Sequence, residues 1–241
     1  MRPVALIPVF DNAATVGGVV RGCREALGDV IAVSDGATDG SGDVAEAAGA
    51  RVIRLATNGG KGAAILRGME AARDAGFTHA VVLDADGQHP PREIPRLLEA
   101  AAGDPRRIWV GVRRMDGNGA PEVSRRGRAI SNFWASLNGW QRCRDVQSGF
   151  RVYPVDAVLA LRCRERRFAF EMEVLIRASW AGVRLGHVDV DVLYPEKSAR
   201  VSHFRKGRDN LRFTWLSFLT FFGMLARVPL LLARKLTAPA P

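Results

Sequence analysis

Val81-Val82-Leu83-Asp84-Ala85-Asp86-Gly87-Gln88-His89-Pro90 carries an apolar strand straight into two carboxylates spaced i and i+2. At a strand end such side chains point to one side, and in a parallel sheet the carboxyl edge is where ligands bind. Two like charges there are unfavourable until a cation neutralises them. A hard divalent ion such as Mg²⁺ or Mn²⁺ does so, held by one or two carboxylates with substrate phosphates completing its shell. Asp84 and Asp86 are thus the candidate metal ligands, and Gln88 adds a neutral oxygen two residues on. The plainer reading is a solvated Asp-Gly turn, against which stands the full apolar strand feeding the pair.

Upstream, Val4–Val9, Val30–Ser34, Arg51–Leu55 and Ala80–Leu83 read as buried strands, and Ile108–Val112 adds a fifth downstream. Between them Asn12–Leu27, Ser41–Ala48, Lys61–Ala75 and Arg92–Ala101 space their apolar residues as helices do. Asn12 is placed to cap the first helix, and Pro90-Pro91 sits where a helix would start. Repeated strand–helix–strand units predict an α/β fold, a parallel sheet with helices on both faces. From Pro121 the alternation weakens. Ser124–Trp140 reads as a basic helix, Phe150–Tyr153 as a short strand, Phe170–Ala181 as a helix and Leu185–Leu193 as a strand. Pro195–Arg208 is a polar, basic loop before an apolar helical stretch reaching about Leu236.

Other polar groups close the remaining strands. Asp35 ends the second strand, where it can accept hydrogen bonds from a base or ribose, and Asp39 can cap the next helix. Pro8-Val9-Phe10-Asp11 ends the first strand and can wall a base pocket. Asn58-Gly59-Gly60-Lys61-Gly62-Ala63 opens a helix but lacks the glycine spacing and the Ser or Thr of a phosphate-binding loop. No dinucleotide fingerprint follows the first strand.

The net charge of +10 is unevenly placed: −3 over residues 1–100, +6 over 101–199 and +7 over 200–241. Such a field attracts phosphates of any kind. Nucleic-acid modules interleave basic and aromatic residues on an exposed platform, whereas the aromatics here cluster in the uncharged run Phe213–Ala226, so nucleic acid is not the expected partner. That run of 14 residues extends ~21 Å as a helix, short of a hydrocarbon core of ~30 Å. Arg205, Lys206, Arg208 and Arg212 precede it and Arg234 and Lys235 end the stretch, so a helix lying in an anionic head-group layer is expected, with packing on protein as the alternative. Three cysteines at no metal-like spacing, and no signal-like segment before Val4, predict a reducing, cytoplasmic setting on the inner face of the membrane. Residues 1–208 are read as the catalytic domain and 209–241 as the appendage. Oligomeric state is left open.

These pieces together resemble the family 2 glycosyltransferases of the GT-A fold, in particular the branch of dolichyl- and polyprenyl-phosphate sugar synthases. IPVFDNAATV, VSDGATDGSGD, NGGKGAA, LDADGQHPP, the Arg-rich Ser124–Arg128, DVQSGFR and FEMEVL occur in family order over residues 4–177. The resemblance implies an inverting transfer of a sugar from a nucleotide diphosphate sugar to a lipid or lipid-phosphate acceptor. It implies that Asp84, Asp86 and Gln88 hold metal and diphosphate with Ala85 between them. Asp35, Pro8, Phe10 and Asp11 would line the nucleotide pocket with Lys61 nearby. Arg125 or Arg126 would meet phosphate, and Asp145, Ser148 and Arg151 would face the acceptor. Two departures stand out: Ser34-Asp35 replaces the family's common pair of Asp, and Asp11-Asn12 its Asn-Glu. A phosphate acceptor needs little base help; for a hydroxyl acceptor Asp145 is the first candidate base, followed by Glu171 and Glu173. For those two glutamates the simpler expectation is one solvated and one paired with an arginine of the Arg162–Arg167 cluster.

Overall fold

The computed structural model describes residues 1–114, 122–193 and 206–237, with the side chains of 122–124, 206–213 and 234–237 outside that description. Most of the basic loop expected at Pro195–Arg208 therefore lies outside the described residues, as do Arg205 and the side chains of Lys206, Arg208, Arg212, Arg234 and Lys235. Four strands, β1 (Pro3–Val9), β2 (Val30–Asp35), β3 (Arg51–Leu55) and β4 (His79–Val82), alternate with helices α1 (Ala13–Leu27), α2 (Ser41–Ala47) and α3 (Lys61–Asp74). They are followed by α4 (Ile94–Gly103), β5 (Ile108–Arg113), α5 (Glu122–Gly139), β6 (Arg151–Pro154), α6 (Val155–Ala160), α7 (Phe170–Ala181), β7 (Leu185–Val190), α8 (Lys206–Leu225) and α9 (Val228–Thr237).

The strands form one sheet in the order β3-β2-β1-β4-β6-β5-β7. Successive side chains on a strand face opposite ways, so each strand feeds two cores. Val4 and Leu6 of β1 join one cluster with Ile65 and Met69 of α3 and Phe170 and Ile176 of α7. Ala5, Ile7 and Val9 join the other with Val16 and Val20 of α1 and Leu97 of α4. Both faces being covered, β1 and the first four residues of β2 are apolar without alternation, as is Ala80–Leu83, which is why they stand out in the sequence.

One strand departs from the expected parallel pattern. β6 runs antiparallel to both neighbours, pairing Val82 with Arg151 and Val81 with Val152 on one side and Trp109 with Val152 on the other. Because it descends from the carboxyl edge, the loop before it is delivered to that edge. β6 itself falls at the short strand expected over Phe150–Tyr153; the six residues of α6, continuous with it, are an element the sequence pattern does not reveal.

The cap of α1 also differs from expectation. Asn12 is its N-cap but makes no side-chain cap bond. Asp39 instead accepts the Ala13 N–H at 2.8 Å and the Ser41 N–H at 2.9 Å, stapling the starts of α1 and α2. These bonds hold its carboxyl below the usual range despite the opposing effect of burial.

At the C-terminal end the boundary expected at 208/209 falls inside α8, whose inner face is fixed to the domain. Asn138 of α5, fully buried, donates to the Ser217 carbonyl at 2.9 Å and to Thr220 Oγ1 at 2.7 Å. Leu216 and Met224 are buried on the same side, while Trp215, Phe218, Leu219, Phe222 and Leu225 are exposed. Among the described residues no helix is long and apolar enough to cross a membrane.

Asp39→Ala should cost about 1 kcal/mol, the size of a lost helix cap. Urea unfolding would report this as a lower midpoint at unchanged slope; an unmoved midpoint would remove the staple from the account.

Candidate active site

The exits of β1, β2, β3 and β4 lie side by side, in register from Val9–Ser34 and Asp35–Leu55 to the Leu83 N–H on the Leu6 carbonyl. Sheet order reverses here: β2 lies on one side of β1 and β4 on the other, which opens a crevice between the loops. Asp35 reaches into the loop after β3 and accepts the N–H groups of Gly59 at 2.8 Å and Gly60 at 2.7 Å. Gly60 has φ +98°, and a Cβ there would stand 2.6 Å from the Arg166 carbonyl oxygen, so the loop needs glycine. Held on both sides, the loop aims Lys61, the first residue of α3, across the sheet edge.

Lys61 Nζ sits 2.6 Å from Asp84 Oδ1 and 2.5 Å from Glu171 Oε1. Burial alone would lower the ammonium's proton affinity; Asp84 and Glu171 outweigh it and raise Lys61 above its usual value. By the same balance burial raises Asp84, and Lys61 outweighs that to leave it lowered. Asp86 has no such neutraliser. Burial and then the Asp84 charge push its carboxyl up to about 6, against 3.8 for the ordinary group, while Lys61 and Arg113 pull the other way. A half-buried carboxylate short of positive charge beside a second carboxylate is a donor set that fits a hard divalent ion. Asp84 and Asp86 can hold it, and phosphate oxygens would fill the remaining positions. Among the described residues no cluster of three or more His, Cys, Asp or Glu forms a metal cage. Gln88 donates its N–H to Asp86 Oδ1 at 3.0 Å and accepts the Leu193 N–H at 2.8 Å on its carbonyl. His89 is buried against Phe150, ring centroids 5.3 Å apart, and burial pulls its imidazole down to about 4. It shapes the loop as a neutral ring.

The residues before β6 correct the acceptor-side expectation. Asp145, Ser148 and Arg151 are all fully buried. Arg113, the last residue of β5, grips Asp145 with Nε on Oδ2 and Nη2 on Oδ1, both at 2.9 Å, and its backbone N–H adds a third bond at 3.1 Å. Burial works against the charge, but Arg113 lowers the Asp145 carboxyl below its usual range. A carboxylate enclosed in this way cannot reach an acceptor as a base. Arg151 donates to the carbonyls of Ser148, Val146 and Glu171 and to the Tyr153 hydroxyl, at 2.7–2.9 Å. It holds the loop's shape from inside and does not face an acceptor. That loop presses Gly149 on the acidic pair: a Cβ there would collide with Asp84 Oδ2 and lie 2.7 Å from Lys61 Nζ.

The glutamates also differ from the simpler expectation. Glu171 is bound to Lys61, and Glu173 accepts Arg177 Nε at 2.6 Å and the N–H groups of Arg164 and Glu165. Neither is solvated. Pro8, Phe10 and Asp11 lie half-buried at the exit of β1, where Asp11 Oδ1 accepts the Thr38 N–H at 2.9 Å. Ala85 is buried and its carbonyl accepts Thr15 Oγ1. Arg125 and Arg126 are exposed near the start of α5. The inward arginine of that stretch is Arg128, which donates to the Arg113 carbonyl at 2.9 Å and lies 3.6 Å from Asp145. Arg113 and Arg128 are the site residues that sequence reasoning missed. For Arg113 the available signal was its place just past the apolar run Ile108–Val112.

Fold and site together define a glycosyltransferase of the GT-A fold. The chain belongs to glycosyl transferase family 2, whose model matches residues 4–162. It is 26% identical over 224 residues to the undecaprenyl-phosphate mannosyltransferase of Micrococcus luteus, covering 86% of this chain and 89% of that one. With the polyprenol monophosphomannose synthase of Mycolicibacterium smegmatis it shares 25% over 223 residues, 83% of this chain and 80% of the other. The crystal structure of Mycobacterium tuberculosis glucosyl-3-phosphoglycerate synthase in complex with Mn²⁺, uridine diphosphate and glucosyl-3-phosphoglycerate superposes with a TM-score of 0.68 at 18% identity, over 92% of this chain and 79% of that one. At that identity the likeness concerns fold.

Because Asp86 is raised to about 6, the folded protein holds a proton there that the unfolded chain has already lost above 3.8. Without a divalent ion, this group's contribution to stability therefore declines as pH rises from 3.8 through about 6. An ion binding at the pair must displace that proton, so Mn²⁺ affinity should climb with pH up to about 6 and level off above it. Calorimetric titration across this range checks the point; a flat profile would show that Asp86 takes no part.

Proposed function

We propose that this enzyme is a metal-dependent, inverting transferase that moves a sugar from a nucleotide diphosphate sugar to a polyprenyl- or dolichyl-type lipid phosphate. The observation that carries the reading is the acidic pair Asp84 and Asp86 at the exit of β4, with Lys61 already bound to one member. Mg²⁺ or Mn²⁺, when bound, supplies positive charge to the diphosphate leaving group. The protein's own share is electrostatic and positional. Lys61 and Arg113 lower the proton affinity of both carboxyls; at Asp84 Lys61 outweighs burial, and at Asp86 the two offset only part of the rise. Asp35 fixes the loop that carries Lys61, and Pro8, Phe10 and Asp11 frame the crevice on the β1 side, where the nucleotide would lie. Arg125 and Arg126, exposed near the start of α5, would meet phosphate.

The state of the carboxylates supports a phosphate acceptor over a hydroxyl. A hydroxyl requires a base, and Asp145, Glu171 and Glu173 are each committed to ion pairs. A phosphate is already anionic and needs none. The names of the relatives fit this direction, since undecaprenyl phosphate and polyprenol monophosphate are lipid phosphates. We read residues 1–208 as the transferase domain and 209–241 as a peripheral anchor on the anionic inner face of the membrane. The exposed Trp215, Phe218 and Phe222 of α8 and the free, buried state of Cys23, Cys143 and Cys163 support that placement.

Purified protein supplied with Mn²⁺, a panel of nucleotide sugars and a polyprenyl phosphate should form a lipid-linked sugar. Chelation or Asp86→Ala should each lower the rate by about 100-fold or more; activity indifferent to both would overturn the metal assignment. Separately, Trp215→Ser combined with Phe218→Ser and Phe222→Ser should abolish flotation with anionic vesicles while leaving nucleotide binding intact. Undiminished flotation would count against the anchor.

A further inference from the structure

Helices α5 and α8 pack against each other, and both turn large apolar side chains outward while burying polar ones alongside Ala135, Leu216 and Met224. On α8 the buried side carries Ser217 and Thr220, bonded to the buried Asn138. Its outward side carries Trp215, 61% exposed, and Phe218, 55% exposed, their rings stacked with centroids 6.0 Å apart, and then Phe222 edge-on to Phe218 at 4.8 Å. On α5, Ile130 at 62% and Phe133 at 61% exposure are followed by the partly exposed Trp134 and Leu137. Positions 130, 133, 134 and 137 follow the i, i+3, i+4, i+7 spacing of one helical face, yet that face looks away from the core, where Ala135 and Asn138 lie. Exposed apolar area of this extent on neighbouring helices marks a surface that is covered in use.

Charge decides between coverings. The exposed Arg125 and Arg126 lie one to two turns before Ile130 on the same helix, and Arg227 follows α8, its guanidinium over the Trp180 ring at 4.6 Å. Aromatic and aliphatic side chains flanked by arginines suit an anionic interface, with rings among the acyl chains and guanidinium groups among the lipid phosphates. We propose that α5 is the second half of the membrane seat: the outward faces of α5 and α8 rest together on an anionic bilayer, with Arg125 and Arg126 at phosphate level. This deepens the anchor reading of residues 209–241 and rests on it. It also places the bilayer on the helix that ends the path from Arg113 and Arg128, so an acceptor drawn from the lipid has a short route to the sheet edge.

The test separates the two halves. With α8 intact, Ile130→Ser together with Phe133→Ser should lower partitioning onto phosphatidylglycerol-containing vesicles by roughly tenfold, with the melting temperature unchanged because both side chains are exposed. An environment-sensitive fluorophore on Ile130→Cys should shift to the blue on adding those vesicles. The same label on Glu25→Cys of α1, on the opposite side of the sheet, should not respond. Wild-type partitioning by the α5 variant, or a label at position 130 that stays as in water, would overturn the proposal while leaving the α8 anchor standing. Absence of vesicle binding, with self-association that the α5 substitutions dissolve, would overturn it in favour of a second copy of this chain. None of these readouts needs turnover, so they stand or fall apart from the transferase reading.

Discussion

A single buried ammonium joins the parts of the site. Lys61 belongs to α3, Asp84 to the exit of β4 and Glu171 to α7, three segments that share no local sequence. Lys61 carries one positive charge against the two carboxylates it touches, so removing it would leave Asp84 and Glu171 uncompensated in a region of low dielectric. The surrounding loops are built to keep this geometry. Asp35 ties the Gly59–Gly60 turn, Arg166 closes over Gly60, and Gly149 lets the loop before β6 come down on the pair. Lys61 compensates only part of the negative charge, and the remainder sits on Asp86. The site is poised for a second cation rather than complete without one.

The loop from Asp145 to Arg151 shows how readily a functional-looking motif can be structural. Its charged residues look like catalytic groups because they are Asp, Ser and Arg in one short stretch. In the fold, each charge turns inward: Asp145 onto Arg113, and Arg151 onto three carbonyls and a phenol. Their work is to fix a turn whose glycine touches the acidic pair. The arginines that hold this loop, Arg113 and Arg128, lie outside the motif itself.

The parallel half of the sheet was legible because burial on both faces writes itself as unbroken apolar runs, and Val4–Val9 or Ala80–Leu83 can be read directly. The acidic pair was legible because it follows such a run. The antiparallel insertion of β6 was not, since strand order depends on pairings such as Val82 with Arg151 that no local pattern encodes. For the same reason Lys61 could be placed near the site but its partners could not be named. Asn12 sat at the right position for a cap, yet the acceptor for the Ala13 N–H came from Asp39, 26 residues beyond Ala13, a partner visible only after folding. Burial of Glu171 and Glu173 was likewise hidden, because a carboxylate inside a helix that starts FEMEVL reads as surface until its cation is found.

The antiparallel strand has a further consequence for biogenesis. On the ribosome, β1 to β4 can pair as soon as Leu83 has emerged, but the outer edge of β4 has no neighbour until Arg151–Pro154 follows. At ~5–20 residues per second that edge stays open for seconds. An unpaired row of N–H and C=O groups on a largely apolar strand is a template for pairing with another nascent chain. Polysome crowding and chaperone supply, more than the final stability of the enzyme, would then govern how much of it reaches the folded state.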